Sequence, residues 1–130
     1  MGYRSQVVLA LAAKIVPAFM AMFARNEEAQ KLCTQHADTL DTDYQGEGNW
    51  LMVWYGIKWY TSYPDVAAIR DFVDALNLND LSDYGMSLDE GDNTEYGEYF
   101  KFCRIGEEDT DVEGDGWGFD DVFIQRDISY

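Results

Sequence analysis

Eight carboxylates fall within residues 107–121, EEDTDVEGDGWGFDD, and two large aromatics, Trp117 and Phe119, sit near the end of the stretch. Three kinds of chemistry suit that composition: a cage for calcium, a surface that imitates nucleic-acid phosphate, or a loop whose carboxylates simply stay hydrated. Spacing bears on the second. Glu107, Asp109, Asp111, Glu113 and Asp115 occupy every second position, so an extended backbone would project them to one side about 6.6 Å apart. Each strand of duplex DNA presents a phosphate about every 3.4 Å, a comparable scale. Asp41 and Asp43 repeat the pattern, whereas Gly114, Gly116 and Gly118 permit bends that would spoil a straight ladder.

A calcium loop of the EF type needs oxygen ligands at positions 1, 3 and 5, glycine at 6 and a carboxylate at 12. Counting from Asp109 puts Asp111, Glu113, Gly114 and Asp120 in those slots. Two features depart from the pattern: Asp120 stands where a bidentate Glu is usual, and the flanks read as strands instead of helices. A count from Asp41 fails sooner, since Met52 falls at its twelfth position. The preferred reading is an acidic recognition loop. In it Glu107, Glu108, Asp109, Asp111, Glu113, Asp115, Asp120 and Asp121 engage a partner, and Trp117 and Phe119 anchor it, because large aromatics dominate interface hot spots.

Catalytic readings find little support. His36 is the only histidine, so neither a two-histidine metal site nor a histidine acid/base pair can be built. Cys33 and His36 lie one helical turn apart, enough for two metal ligands but more simply one face of a helix. Carboxylate pairs abound, yet a catalytic one needs a raised pKa in a cleft. The glycines alternate with acids, which would repel a phosphate, so no phosphate-cradling loop is present. Direct nucleic-acid binding needs a basic groove with stacking rings. Trp50, Trp54, Tyr55, Trp59 and Tyr60 supply rings without the cations, and read as core and sheet surface.

The charge is unevenly placed. Residues 1–37 carry Arg4, Lys14, Arg25 and Lys31 against Glu27 and Glu28; the remainder holds 23 acids against Lys58, Arg70, Lys101, Arg104 and Arg126, within a total of −16. Such a field repels nucleic acid and anionic membrane and attracts basic protein surfaces. Its plainer consequence is solubility. With 47% hydrophobic and 15% aromatic residues the chain should fold, unlike a disordered acidic tail. Its 130 residues suit a single domain spanning 1–130. Cys33 and Cys103 are too few for a disulfide framework and read as reduced, buried thiols. The apolar run at 7–24 is short for a membrane span and carries Lys14 and Pro17 near its middle. What precedes the cleavage-like Ala10-Leu11-Ala12 is short for a signal peptide, and Gln6 breaks the myristoylation pattern. The expectation is a soluble, cytoplasmic protein.

Apolar periodicity locates the elements that must position these side chains. Residues 3–12 alternate and then become apolar on both faces, as a doubly covered strand does. Pro17 suits the first turn of a helix whose stripe is Val16, Phe19, Met20 and Phe23. From Ala29 the stripe moves round to Leu32, Cys33, His36 and Leu40, so residues 25–28 are a break with Asn26 as N-cap. Residues 39–44 and 49–60 form a hairpin about Gly46 and Gly48, its second strand central. A helix starts near Pro64 and buries Val66, Ile69, Phe72, Val73 and Leu76. Residues 77–97 read as a long acidic loop, 99–105 and 122–128 as strands, and 107–121 as the loop between them. The order β-α-β-β-α-β-β predicts an α+β fold: an antiparallel sheet with two helices on one face, ferredoxin-like with an added C-terminal strand. That fold hosts many functions and selects none.

The opening MGYRSQV, the IKWY at 57–60 and the Pro-started helix resemble a group of small acidic proteins of bacteriophages and prophages, generally of undefined function. The likeness covers the first strand and the Trp-rich centre and carries no catalytic residues. It implies a phage context, in which small acidic proteins block a host nuclease or defence complex. Joined to the charge, it gives the expectation of a non-enzymatic inhibitor or interaction protein in the bacterial cytoplasm. Such a protein would imitate nucleic acid on the basic surface of a host nucleic-acid-binding protein, with no cofactor and no direct contact with nucleic acid or membrane. The alternatives are a calcium-binding module at 109–120 and a structural or assembly protein using the aromatic strand face.

Overall fold

The first strand forms over Ser5–Leu11 (β1), and its two faces account for both layers packed on the sheet. The computed structural model describes residues 3–87, 95–108, 110–124 and 128–129, the last two as backbone alone. In it Val7, Leu9 and Leu11 enter the main core, while Val8 and Ala10 enter a smaller cluster on the opposite side. A strand covered on both faces has no polar face to show, which is why the run reads as almost wholly apolar.

After a 3-10 turn at Ala13–Ile15, helix α1 spans Val16–Arg25 with Pro17 in its first turn. It stops at Asn26, whose extended backbone begins α2, Glu27–Thr34. Asn26 Oδ1 accepts the Ala29 N–H at 2.9 Å, and Glu27 and Glu28 sit at the positive end of the new helix. The buried stripe shifts with the break, from Phe19, Met22 and Phe23 to Ala29, Leu32 and Cys33. His36 falls beyond the end of α2 and is exposed while Cys33 is buried, so the two share no site.

Strands β2 (Thr39–Tyr44) and β3 (Asn49–Ile57) make the expected hairpin, followed by α3 over Pro64–Asn77. With β4 (Phe100–Ile105) and β5 (Val112–Asp115) they complete a five-stranded antiparallel sheet of order β2-β3-β1-β4-β5. All three helices contribute to one core against it: Phe19, Leu32 and Phe72 share a cluster with Leu9, Met52, Trp54 and Phe102. Each such side chain removed from water contributes about 1.5–3 kcal/mol. Trp54 satisfies its indole there by donating to the Leu32 carbonyl at 3.0 Å.

Two expectations fail at the C-terminal end. Residues 107–121 are not one loop, because Val112–Asp115 is the fifth strand. Its turn is closed by the Gly106 N–H on the Asp111 carbonyl at 2.7 Å, and cations from elsewhere in the chain make a strand of alternating acids tolerable. The strand expected at 122–128 does not join the sheet. Phe123–Ile124 (β6) and Ile128–Ser129 (β7) pair only with each other, with 125–127 outside the described residues. The cause is burial: Phe119 and Val122 pack onto Val8, Leu51, Val53 and Cys103, so this segment covers the second face of the sheet instead of extending its edge. Of the acidic loop expected at 77–97, α3 takes the first residue, 3-10 turns form at Ser82–Tyr84 and Tyr96–Tyr99, and 88–94 lie outside the described residues.

Candidate acidic interface

Register decides what the carboxylates meet. Arg104 stands opposite Glu113, and Phe102 opposite Asp115, in the β4–β5 pair. Phe102 belongs to the helix-side core, so period-two alternation turns Arg104, Glu113 and Asp115 to that same side. The Arg104 guanidinium, nearly buried, takes both oxygens of Asp111 at 2.6 and 3.2 Å, Glu113 Oε1 at 2.9 Å and Ser5 Oγ at 3.1 Å. Tyr3 OH adds a bond to Asp111 Oδ2 at 2.7 Å and accepts the Glu108 N–H at 3.0 Å. These bonds, Arg104 first and Tyr3 second, hold the Asp111 carboxyl below the ordinary aspartate range.

A second cation closes the row. Arg70, from α3, reaches Asp115 at 3.1 Å and Glu113 at 3.6 Å while holding Asp74 at 2.8 Å. Asn77 donates to the other Asp115 oxygen at 2.9 Å. Asp111, Glu113 and Asp115 therefore do project to one side as expected, but into two arginines of the same chain. The geometry is that of an internal ion network, with each guanidinium bridging carboxylates.

The remaining predicted residues divide between two ends of the sheet. Glu107 and Glu108 are exposed beside the N-terminal segment, where Glu107 Oε1 accepts the Arg4 N–H at 3.0 Å. Asp120 and Asp121 are exposed at the other end, near the β2–β3 hairpin; Gln45 Nε2 donates to Asp121 at 3.2 Å. Exposed Asp41, Asp43 and Glu47 belong to that hairpin. Burial, and then the charges of Asp121 and Asp41, push the Tyr44 phenol up from its ordinary value. Asp109 lies outside the described residues.

The two expected anchors part company. Trp117 is 56% exposed, its backbone tied to the Gly97 carbonyl at 2.8 Å and its ring over Gly97, where a Cβ would lie 2.2 Å from it. Phe119, expected as an anchor, is only 6% exposed, its ring centroid 6.0 Å from that of Tyr44, and serves the second core. The calcium alternative draws on Asp109, outside the described residues, and on side chains that have other partners. Asp111 and Glu113 are turned onto Arg104, and Val112–Asp115 is a paired strand instead of a loop. Among the described residues no group of three His, Cys, Asp or Glu side chains is arranged to hold a metal ion.

Arg70, Arg104 and Tyr3 were not among the predicted residues. A signal for Arg104 exists in the chain: it continues the alternation Phe100, Phe102, Arg104, which places a cation on a buried strand face that demands a counter-charge. No helix among the described residues is long and apolar enough to cross a membrane. Comparison with protein-family models, curated proteins and solved structures finds no match to this chain.

Proposed function

We propose that this chain is an acidic, non-enzymatic interaction protein whose exposed carboxylates dock on the basic, nucleic-acid-handling groove of a bacterial host protein and compete with its nucleic acid. The observation that carries the reading is the meeting of two distant acidic segments at one end of the sheet. Gln45 and Asp121 are hydrogen-bonded, which brings Asp120 and Asp121 beside Asp41, Asp43 and Glu47. None of these five forms an ion pair among the described residues, unlike Asp111, Glu113 and Asp115. The docking surface is therefore assigned to these five, with Glu107 and Glu108 as a lesser group at the far end. A field of this sign steers a basic partner and weakens with salt.

The strand order β2-β3-β1-β4 is the one a ferredoxin-like split βαβ unit produces. We read the fold as that unit with β5 added at its edge. Its role is to hold the acidic end rigidly, and the cytoplasm of a phage-infected bacterium is the setting that suits it.

The test is capture from nuclease-treated bacterial lysate at low and high salt, comparing the native chain with the variant carrying Asp41→Asn, Asp43→Asn, Glu47→Gln, Asp120→Asn and Asp121→Asn. Asn preserves the turn bonds that Asp41 and Asp43 accept at 2.9 and 2.8 Å. The expected result is salt-sensitive retention of a DNA- or RNA-handling protein by the native chain only. Equal retention by both would overturn the reading.

A further inference from the structure

We propose that β5 accepts, as an added sixth strand, an extended peptide in which Lys or Arg alternates with apolar residues. The inference rests on the backbone of the edge and does not depend on the acidic end described above. Among the described residues β5 terminates the sheet, so half of its backbone groups have no strand there to pair with. The Gly106 N–H to Asp111 C=O bond fixes which half. It continues the register that pairs Arg104 with Glu113 and Phe102 with Asp115, and hydrogen-bonded pairs in an antiparallel ladder recur every second residue. The groups of Glu113 and Asp115 therefore face β4, and those of Gly114 face outward.

Nothing described blocks that edge. Gly114 is exposed, and a Cβ built on it meets only the Phe102 carbonyl at 4.0 Å. A cleft of about 380 Å³ runs beside it, lined by Thr61, Arg70, Glu113, Gly114 and Asp115. It shares Thr61 and Glu113 with a neighbouring cleft of about 460 Å³ that reaches Tyr3 and Tyr60.

The two faces of β5 select the occupant. Glu113 and Asp115 lie on one face, where four carboxylates, counting Asp74 and Asp111, outnumber the cations Arg70 and Arg104. Val112 stands on the other face, 47% exposed. A docked strand meets the first face with every second side chain and the second face with the rest. Basic residues answer the carboxylates and apolar ones answer Val112. A second copy of this chain would instead set Glu113 and Asp115 against like charges, which disfavours self-pairing.

The probe is a synthetic octapeptide alternating arginine and valine, titrated into the ¹⁵N-labelled full chain, with an alternating glutamate and valine peptide as control. Shifts and slowed exchange at the Gly114 and Gly116 amides are expected with the basic peptide alone, and they should persist in the five-carboxylate variant. Gly114→Pro removes the outward N–H without touching a β4–β5 bond; it should weaken binding at least about tenfold, while Gly114→Ala leaves it unchanged. Shifts confined to residues 41–47 and 120–121, no shifts at all, or equal binding by Gly114→Pro would overturn the proposal. Should the proline variant not fold, slowed exchange of Gly114 in the native chain decides the matter by itself.

Discussion

The Arg104 guanidinium grips both oxygens of Asp111, at 2.6 and 3.2 Å, across the turn that joins β4 to β5. Removing the cation leaves Asp111 and Glu113 facing each other on a partly covered surface. Arg104→Met should therefore destabilise the fold by about 2–3 kcal/mol, less than for a fully buried pair because water reaches both carboxylates. Urea midpoints check this. Pairing the change with Asp111→Asn should recover part of the loss, since no charge is then stranded at that position.

Asp111 also sets a pH dependence. Its folded pKa lies below the unfolded one, so its contribution is complete above the unfolded value, about 3.9 for aspartate. The contribution is lost as pH falls from there through the folded value. Thermal midpoints measured between pH 7 and pH 2.5 should fall less steeply in Asp111→Asn than in the native chain below pH about 4. Parallel curves would show that the Arg104 bond does not discriminate between the charged and neutral carboxyl.

Two glycines beyond β5 are fixed by backbone neighbours. Gly116 has φ +79°, and a Cβ there would lie 2.3 Å from the Phe100 carbonyl oxygen; at Gly118 it would lie 2.4 Å from that of Glu98. Main-chain atoms cannot swing aside as a side chain does. Either Gly→Ala change should cost more than about 2 kcal/mol and free Trp117 from Gly97, whereas Gly114→Ala should be near neutral. Chemical denaturation followed by tryptophan emission reports both effects.

Salt should stabilise the protein. Screening weakens the Arg70 and Arg104 pairs, but it also relieves the repulsion of a chain carrying −16. The pairs are close and partly covered, whereas the repulsion acts between exposed, more distant charges that a Debye length of about 3 Å at 1 M removes. The melting temperature should rise between 0.02 and 1 M sodium chloride. A fall would mean that the internal pairs outweigh the excess charge.

Much of the fold was legible because helices and covered strands carry apolar periods. The shift of stripe at Asn26 was visible, since a cap residue followed by two acids has few other uses in a chain. β5 was not. Val112 is its one large apolar residue, and alternating acids read alike whether water or arginine answers them. The cations that decide the matter come from β4 and from α3, far off in the chain, so no local window contains the answer. The same blindness turned Phe119 from a core residue into an expected anchor: its neighbours are acids and glycines, while the face it covers belongs to β1, β3 and β4.

The middle place of β1 has a kinetic consequence. Its partners are β3 on one side and β4 on the other, so Val8 must wait for both Val53 and Cys103. Synthesis proceeds from the N-terminus, so the most completely buried of these strands emerges before its partners and is among the last to be fully covered. Until Cys103 clears the ribosome, the nascent chain carries an adhesive edge, and the loop that β1 and β4 close is among the longest available to it. Folding should be slow for the chain's size, and the newborn protein a natural client for holding chaperones.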